Sequence, residues 1–423
     1  MHEILVLCLS FILLLGSLAG CLRNTTGPIE SPEDEKSRVI QFIDTHIHLD
    51  GIYRSKATLV KDYETATENL IALMDRYDID KALIMPPPQG PRQPGAYDYQ
   101  NLLGVMRKHS NRLYLVGGGG TLNPFINDTE EVEVTEELRA EFEEMAEELI
   151  AAGAVAFGEM TALHLCMSER HHFIETPPDH PLFLLLADIA ARHDVPIDLH
   201  MEAVSEEMPT PSGLLQKCSK NPSTLPATIP AFERLLAHNR DAKIVWQHIG
   251  WDNTGNMTVE LLRRLLEEHS NLYLSLKIEE RGFMVGSQKP MPNRIVDEKW
   301  QVRSEWLELI GDFPDRFMIG SDEFIGIPGR TPRRPQSFEE TWSILNQLSE
   351  DLAYKVGYEN AARIYLKVSS DEIEATQSYQ PSKQEEIQGA VSAGVERWNL
   401  GLDDRTTKNL RVNIRKFSEV FYE

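Results

Sequence analysis

Short apolar, β-branched runs recur along the chain at residues 39–48, 81–85, 113–116, 154–159, 195–200, 243–248, 272–278 and 317–322. Between them lie stretches with helical spacing of apolar residues. The clearest is 135–153, where Leu138, Phe142, Met145, Leu149 and Ile150 share one face. Thr135 is placed to cap its start, and Gly153 sits where a left-handed end residue is wanted. Further helices are predicted at 65–77, 181–193, 230–238, 259–269, 299–310 and 338–352. Continuous apolar strands alternating with amphipathic helices predict a parallel sheet covered by helices. Eight such units over residues 39–368 predict an α/β fold, a (β/α)8 TIM barrel with long loops. A doubly wound open sheet is the alternative, and no Gly-x-Gly-x-x-Gly follows the first strand to favour it. Gly117–Gly120 lacks the Lys-Ser/Thr of a phosphate loop and reads as a turn.

The two ends of the chain break the pattern. Residues 4–22 carry no charge and are followed by polar, turn-forming sequence. This predicts a signal peptide over 1–20 and a tether over 21–38. Leu18-Ala19-Gly20-Cys21 resembles a lipobox, which implies cleavage before Cys21, lipid on its sulfur and a membrane-anchored lipoprotein. The n-region Met1-His2-Glu3 departs from that pattern in lacking Lys or Arg. An uncleaved transmembrane anchor and a secreted form are the alternatives, and all three place the body outside the cytoplasm. Residues 369–423 predict a helical C-terminal extension with no chemistry of its own.

Charge narrows the partners. The 423 residues carry 66 acids against 42 bases, a net charge of −24. Such an excess disfavours nucleic acid and anionic membrane faces as partners. Eleven of the acids fall between Asp128 and Glu148 against Arg139 alone, which reads as a solvated helix face. Four cysteines exclude a disulfide scaffold; once Cys8 leaves with the signal, Cys166 and Cys218 are the thiols left to pair. Their spacing does not decide whether they do, and oligomeric state is equally unread.

The predicted strand ends carry the chemistry. Strand 1 ends in Asp44-Thr45-His46-Ile47-His48, strand 4 in Glu159, strand 5 in His200, strand 6 in His248 and strand 8 in Asp322. In a barrel these ends converge on one mouth, where active sites lie. His46 and His48, two apart in a strand, point to the same side. Imidazole with carboxylate suits zinc first, or manganese or iron, as one or two ions. Beside them, His164, His171 and His172 are expected in the loop after strand 4. Lys277 and Arg330 are candidates for meeting an anionic substrate group, and Trp251 for lining the site.

This set resembles the amidohydrolase superfamily, and most closely its amidohydrolase-related (amidohydrolase-2) branch. The resemblance rests on His46 and His48, on His200 and His248, on Asp322 in Gly320-Ser321-Asp322, and on Asn360-Ala361-Ala362-Arg363. It implies that all five ligands, with Glu159 where many members carry a carboxylated Lys, hold the cation or cations. It also implies metal-assisted hydrolysis of an amide, lactone or ester, with Asp322 moving the proton of a water. With one metal, His248 would act as an acid or electrophile; with two, it would be a ligand. The same branch includes non-oxidative decarboxylases and hydratases, the alternative reading. Gly158-Glu159 also resembles TatD-like nucleases, although Thr161-Ala162-Leu163 replaces the expected Gly-Leu-Asp.

Overall fold

The computed structural model describes residues 41–55, 58–89, 98–169, 172–278, 291–330 and 338–369. The predicted signal segment, the tether with Cys21, His171 and the extension beyond Ser369 lie outside the described residues. Eight parallel strands form the body: β1 (Phe42–Asp50), β2 (Ile79–Ile84), β3 (Leu113–Gly118), β4 (Ala156–His164), β5 (Ile197–Met201), β6 (Ile244–Ile249), β7 (Leu272–Leu276) and β8 (Phe317–Ile319). Each pairs in parallel with its successor, and Asp44 of β1 pairs with Ile319 of β8. The sheet therefore closes on itself, as the alternation of strands and helices predicts.

Helices follow the strands: α1 (Tyr63–Arg76), α2 (Tyr99–Lys108), α3 (Glu136–Ala151), α4 (Pro181–His193), α5 (Ile229–His238), α6 (Val259–Glu268), α7 (Ser304–Asp312) and α8 (Phe338–Leu345). Their ends obey local chemistry. The Thr135 hydroxyl accepts from the Leu138 N–H at 3.3 Å to start α3, and Thr258 does the same for α6. Pro181 opens α4, and Asp194 ends it with φ of 52°. Leu182, Phe183, Leu186, Ile189 and Ala190 of α4 are buried against the barrel wall. Each large apolar side chain buried this way contributes about 1.5–3 kcal/mol.

The interior is a separate packed layer. Ile43, Leu83, Val116, Ala156, Val245, Tyr273 and Met318 fill the barrel and are joined by Ala361, Ala362, Ile364 and Tyr365. These last four belong to α9 (Asn360–Tyr365), which closes the end of the barrel where the strands begin. Asn360 anchors it by donating to the carbonyls of Pro314 and Phe317 at 2.8 Å each, and Arg363 donates to that of Asp315 at 2.8 Å. The Asn-Ala-x-Arg segment is thus a plug.

The structure corrects several boundaries. β4 runs on to His164, so that histidine ends a strand and does not sit in the following loop. β8 stops at Ile319, and Asp322 lies on a turn with φ of 55° before a short strand, Glu323–Gly326. Helix α7 starts at Ser304, five residues later than its spacing suggests, because Asp297 accepts from the N–H of Lys299 and of Gln301 and holds that stretch as a turn. The predicted helix 338–352 is two, ending at Leu345 and restarting at Glu350.

Candidate metal centre

The register of the sheet slips where the site is made. β1 shifts against β2 between Asp44 and Ile47, β4 against β5 between Phe157 and Met160, and β6 against β7 between Trp246 and Ile249. Such irregularities re-aim side chains at strand ends. Here they turn His46, His48, Glu159 and His248 toward one point, and His248 itself has φ of 62°. The turn with Asp322 is tied to β1 from below. The Asp44 carboxylate accepts from the N–H of His46 at 3.1 Å and of Ser321 at 3.0 Å. Gly320 sits in that contact; a Cβ there would lie 2.3 Å from Ser275 Oγ and 3.0 Å from His46 Cβ.

Nδ1 of His48 lies 2.9 Å from the carbonyl of Met85, and a carbonyl can only accept. The proton is therefore on Nδ1, and Nε2 of the neutral ring is a bare lone pair. Nδ1 of His46 faces Gln247 Oε1 at 3.2 Å, which fixes it the same way. The two Nε2 atoms then face each other at 3.1 Å. With both rings neutral, neither could donate to the other, so either a proton on His48 or a cation must lie between them. Oδ1 of Asp322 lies 3.2 Å from His48 Nε2 and 3.7 Å from His46 Nε2.

Glu159 divides its oxygens between two sets of imidazoles. Oε2 is 3.5 Å from His46 Nε2 and 3.4 Å from His48 Nε2. Oε1 is 2.6 Å from His200 Nδ1 and 3.0 Å from His248 Nε2. Two groups of ligand atoms result, each within 4.8 Å of one another: His46, His48 and Asp322, and His46, Glu159 and His248. Their donors, imidazole nitrogen and carboxylate oxygen, fit zinc, manganese or iron.

The electrostatics lean the same way. Burial opposes charging His48, yet Asp322 and Glu159 outweigh it and lift its pKa to about 9. Burial also raises the carboxyls of Glu159 and Asp322, but the surrounding imidazoles, and Lys277 in the case of Asp322, hold both well below the usual carboxylate range. His248 is driven down to about 3 by burial and stays neutral, as a ligand must. The site is built to hold positive charge.

A third group, Glu233, Glu268 and His269, lies on α5, α6 and the residue that ends α6. There Arg264 Nη1 already lies 2.5 Å from Glu233 Oε1 and 2.9 Å from Glu268 Oε2. A guanidinium thus already lies between the two carboxylates.

The remaining candidates divide. Lys277 pairs with Oδ2 of Asp322, and its ammonium lies 4.6 Å from the centroid of the Trp251 ring. The His164 ring is 4.9 Å from that of His200, with Nδ1 2.8 Å from the carbonyl of His172. Arg330 is exposed and lies over Tyr53 at 5.7 Å, on a hairpin of strands Ile52–Ser55 and Thr58–Lys61. Sequence reasoning missed Gln247, Asp198 and Glu202. Each is a buried polar residue within two positions of a predicted ligand, and that adjacency is the signal that marks them. Asn253 donates to Glu202 at 2.6 Å, and burial pushes the Glu202 carboxyl up to about 7.

A closed (β/α)8 barrel with imidazoles and carboxylates gathered at its strand ends defines the class of barrel with a candidate divalent-metal centre. The amidohydrolase family model (Amidohydro_2) matches residues 169–367, which include His200, His248 and Asp322. No curated protein matches the chain. Among solved structures it is similar to a probable 2-pyrone-4,6-dicarboxylic acid hydrolase from Acinetobacter baumannii with citric acid bound, at 14% identity and a TM-score of 0.43, covering 77% of this chain and 99% of that one. A dihydroorotase from Campylobacter jejuni is 15% identical, with a TM-score of 0.40 over 78% of this chain and 84% of that one. A 2,6-dihydroxybenzoate decarboxylase complexed with 2,6-dihydroxybenzoate is 12% identical, with a TM-score of 0.40 over 77% and 99%. Likenesses this distant say nothing of the reaction.

Proposed function

We propose that this chain is a metal-dependent hydrolase acting on a C–N or C–O bond of a small molecule, an amide, lactone or ester. The observation that carries the reading is Glu159, whose two oxygens serve two different pairs of histidines. A carboxylate so divided suits two ions, the first held with His46, His48 and Asp322 and the second with His200 and His248. Divalent cations there supply Lewis acidity and lower the pKa of a water from ~15.7 to ~7. Asp322 takes the proton of the attacking water and returns it to the leaving group. Lys277 holds Oδ2 of that carboxylate, leaving Oδ1 turned toward the histidines. Zinc is the ion we propose, from the four imidazoles in the set.

Elemental analysis of the protein purified with zinc tests the centre. Two ions per chain, falling to one or none in Glu159→Gln, are the expected result. A panel of amides, lactones and esters, followed by acid release, tests the reaction. One ion per chain together with carbon dioxide release from aromatic acids, and no hydrolysis, would replace this reading with the decarboxylase.

We further propose an oxidising, extracytoplasmic location, with export directed by the N-terminal segment and lipid on Cys21. The Cys166–Cys218 disulfide, both residues buried, supports an oxidising compartment. Palmitate labelling that persists in Cys21→Ser would remove the lipid from this proposal.

A further inference from the structure

One step above His200, toward the mouth, the chain leaving β5 carries a further carboxylate. Met201 packs in the apolar layer between strands and helices. The N–H of Glu202 donates to the Leu163 carbonyl at 3.2 Å, so strand pairing continues there and Glu202 faces the same side as His200. Glu202 is only 6% exposed. The Asn253 amide, from the loop after β6, donates to its Oε1 at 2.6 Å, and Oδ1 of that amide is buried with no hydrogen-bond partner. Among the described residues no Lys or Arg pairs with Glu202. The loop does not need this carboxylate to keep its shape. Asp252 accepts from the N–H groups of Thr254, Gly255 and Met257 at 3.0, 2.8 and 3.1 Å, and from Asn293 at 2.7 Å. Thr254 donates to the Ala203 carbonyl, and Asn256 Oδ1 accepts from the Ser205 N–H at 3.2 Å. A neutral Gln at position 202 would accept the Asn253 bond equally well, without the cost of burying a charge that no protein cation offsets.

We propose that Glu202 and Asn253 form the site that receives a primary ammonium group of the substrate. The inference rests on the hydrolase reading above and names the class of its substrate, a small amide, lactone or ester with a free amine close to the bond that is cleaved. The chemistry of the pair selects the ligand. A carboxylate has only lone pairs to offer, and so does the carbonyl end of an amide. Whatever meets both must donate, and a buried carboxylate calls for a donor that also carries positive charge. An ammonium supplies three N–H bonds and the missing charge, whereas a hydroxyl supplies a hydrogen bond and leaves the charge uncompensated. A divalent ion is not the partner, because Glu202 belongs to neither group of ligand atoms gathered at the metal centre. Two residues of strand separate Glu202 from His200, a rise of about 6.6 Å. That span suits an amine on the α or β carbon of a carbonyl held at the centre.

The test is calorimetric binding of hydroxamates to the full, zinc-loaded chain. An α-amino and a β-amino hydroxamate are each compared with the analogue that lacks the amine, so that the zinc-binding group is constant and only the ammonium differs. Wild type is expected to bind one of the amines roughly tenfold or more tightly than its analogue. Glu202→Gln keeps the size of the side chain and the bond to Asn253, and is expected to abolish that preference while still binding zinc. Asn253→Ala leaves the ties at Thr254 and Asn256 in place and is expected to lose part of it. Should Glu202→Gln fail to fold, Asn253→Ala and the wild-type comparison decide the matter. No preference for either amine in wild type, or a preference that survives intact in both variants, would overturn the site. A wild-type protein that binds neither zinc nor any hydroxamate would overturn the metal-centre reading, and the ammonium site with it. A preference for the amine in a protein that hydrolyses no amide, lactone or ester would overturn the hydrolase reading and leave the ammonium site standing.

Discussion

Lys277 and Asp322 form a partly buried ion pair in which Lys277 takes Oδ2, while Oδ1 is left facing His48 at 3.2 Å. The carboxylate is thereby shared between a fixed cation and the metal position. Its two neighbours compete for the same negative charge.

Replacing Lys277 by Met keeps most of the side-chain volume and removes the fixed cation. In the metal-free protein Asp322, partly buried, then keeps only the His48 imidazole as a positive partner, at a cost on the order of 1–3 kcal/mol. A divalent ion gains what Lys277 no longer neutralises. Calorimetry should show a lower melting temperature for the metal-free Lys277→Met protein and a larger stabilisation by zinc than in wild type. If the variant melts like wild type without metal, the pair is not buried in the way described.

His48 gives the metal-free protein a pH dependence of known sign. Its pKa stands at about 9 when folded against an ordinary 6.5. The contribution of this group to stability is therefore complete below about 6.5 and is lost as pH rises through about 9. A metal must displace that proton to use Nε2. Calorimetric titration with zinc in buffers of different ionisation enthalpy should show proton release near pH 7.5, vanishing above about pH 9.5. Equal proton counts at both values would remove His48 from the ligand set.

The barrel was legible because its strands, buried on both faces, are short apolar runs, and its helices carry one apolar stripe. The ligands were legible because each is a polar residue closing such a run. What escaped is the part that depends on register. Nothing in the local sequence says that β4 continues past Glu159 to His164, since Met160 to Leu163 reads as either strand or loop. Asp322 was placed at the end of a strand, whereas it lies on the turn that follows. Gln247 and Asp198 read as ordinary polar interruptions of a strand. The partner of Asp198 is Tyr365, which lies 167 positions beyond it and enters the barrel from the other end. The short helix α2 and the hairpin after β1 escaped as well, although Leu102, Val105 and Met106 share the buried face of α2.

The disulfide between Cys166 and Cys218, separated by 52 positions, joins the segment after β4 to the segment after β5. Asn221 reinforces the junction, accepting from the N–H of Cys166 at 2.8 Å and donating to its carbonyl at 2.9 Å. A loop of that size removes chain entropy worth about 4 kcal/mol from the unfolded state. Cys166→Ser/Cys218→Ser should therefore unfold at markedly lower denaturant concentration, and reducing wild type should reproduce the shift. A double variant as resistant to denaturant as wild type would mean that the bridge stores no such constraint.

Gly320 tests whether the Asp322 turn and β1 are one unit. A methyl group at this position meets Ser275 Oγ at 2.3 Å and His46 Cβ at 3.0 Å, with Thr45 Oγ1 at 3.2 Å. None of these can yield easily. Thr45 donates to the Ile319 carbonyl at 2.8 Å, and Ser275 lies in the middle of β7 with its hydroxyl 3.2 Å from that of Thr45. The turn must move away from β1 instead, which stretches the bond from Ser321 N–H to Asp44 and draws Asp322 off His48. Overpacking of this kind costs about 1–3 kcal/mol. Gly320→Ala is expected to lose stability in that range and to bind zinc more weakly than wild type by at least tenfold, since a ligand and its partner separate together. Gly311, with open space around it on α7, is the control: Gly311→Ala should leave zinc affinity unchanged. Wild-type zinc affinity in Gly320→Ala would show that the turn can shift without carrying Asp322 with it.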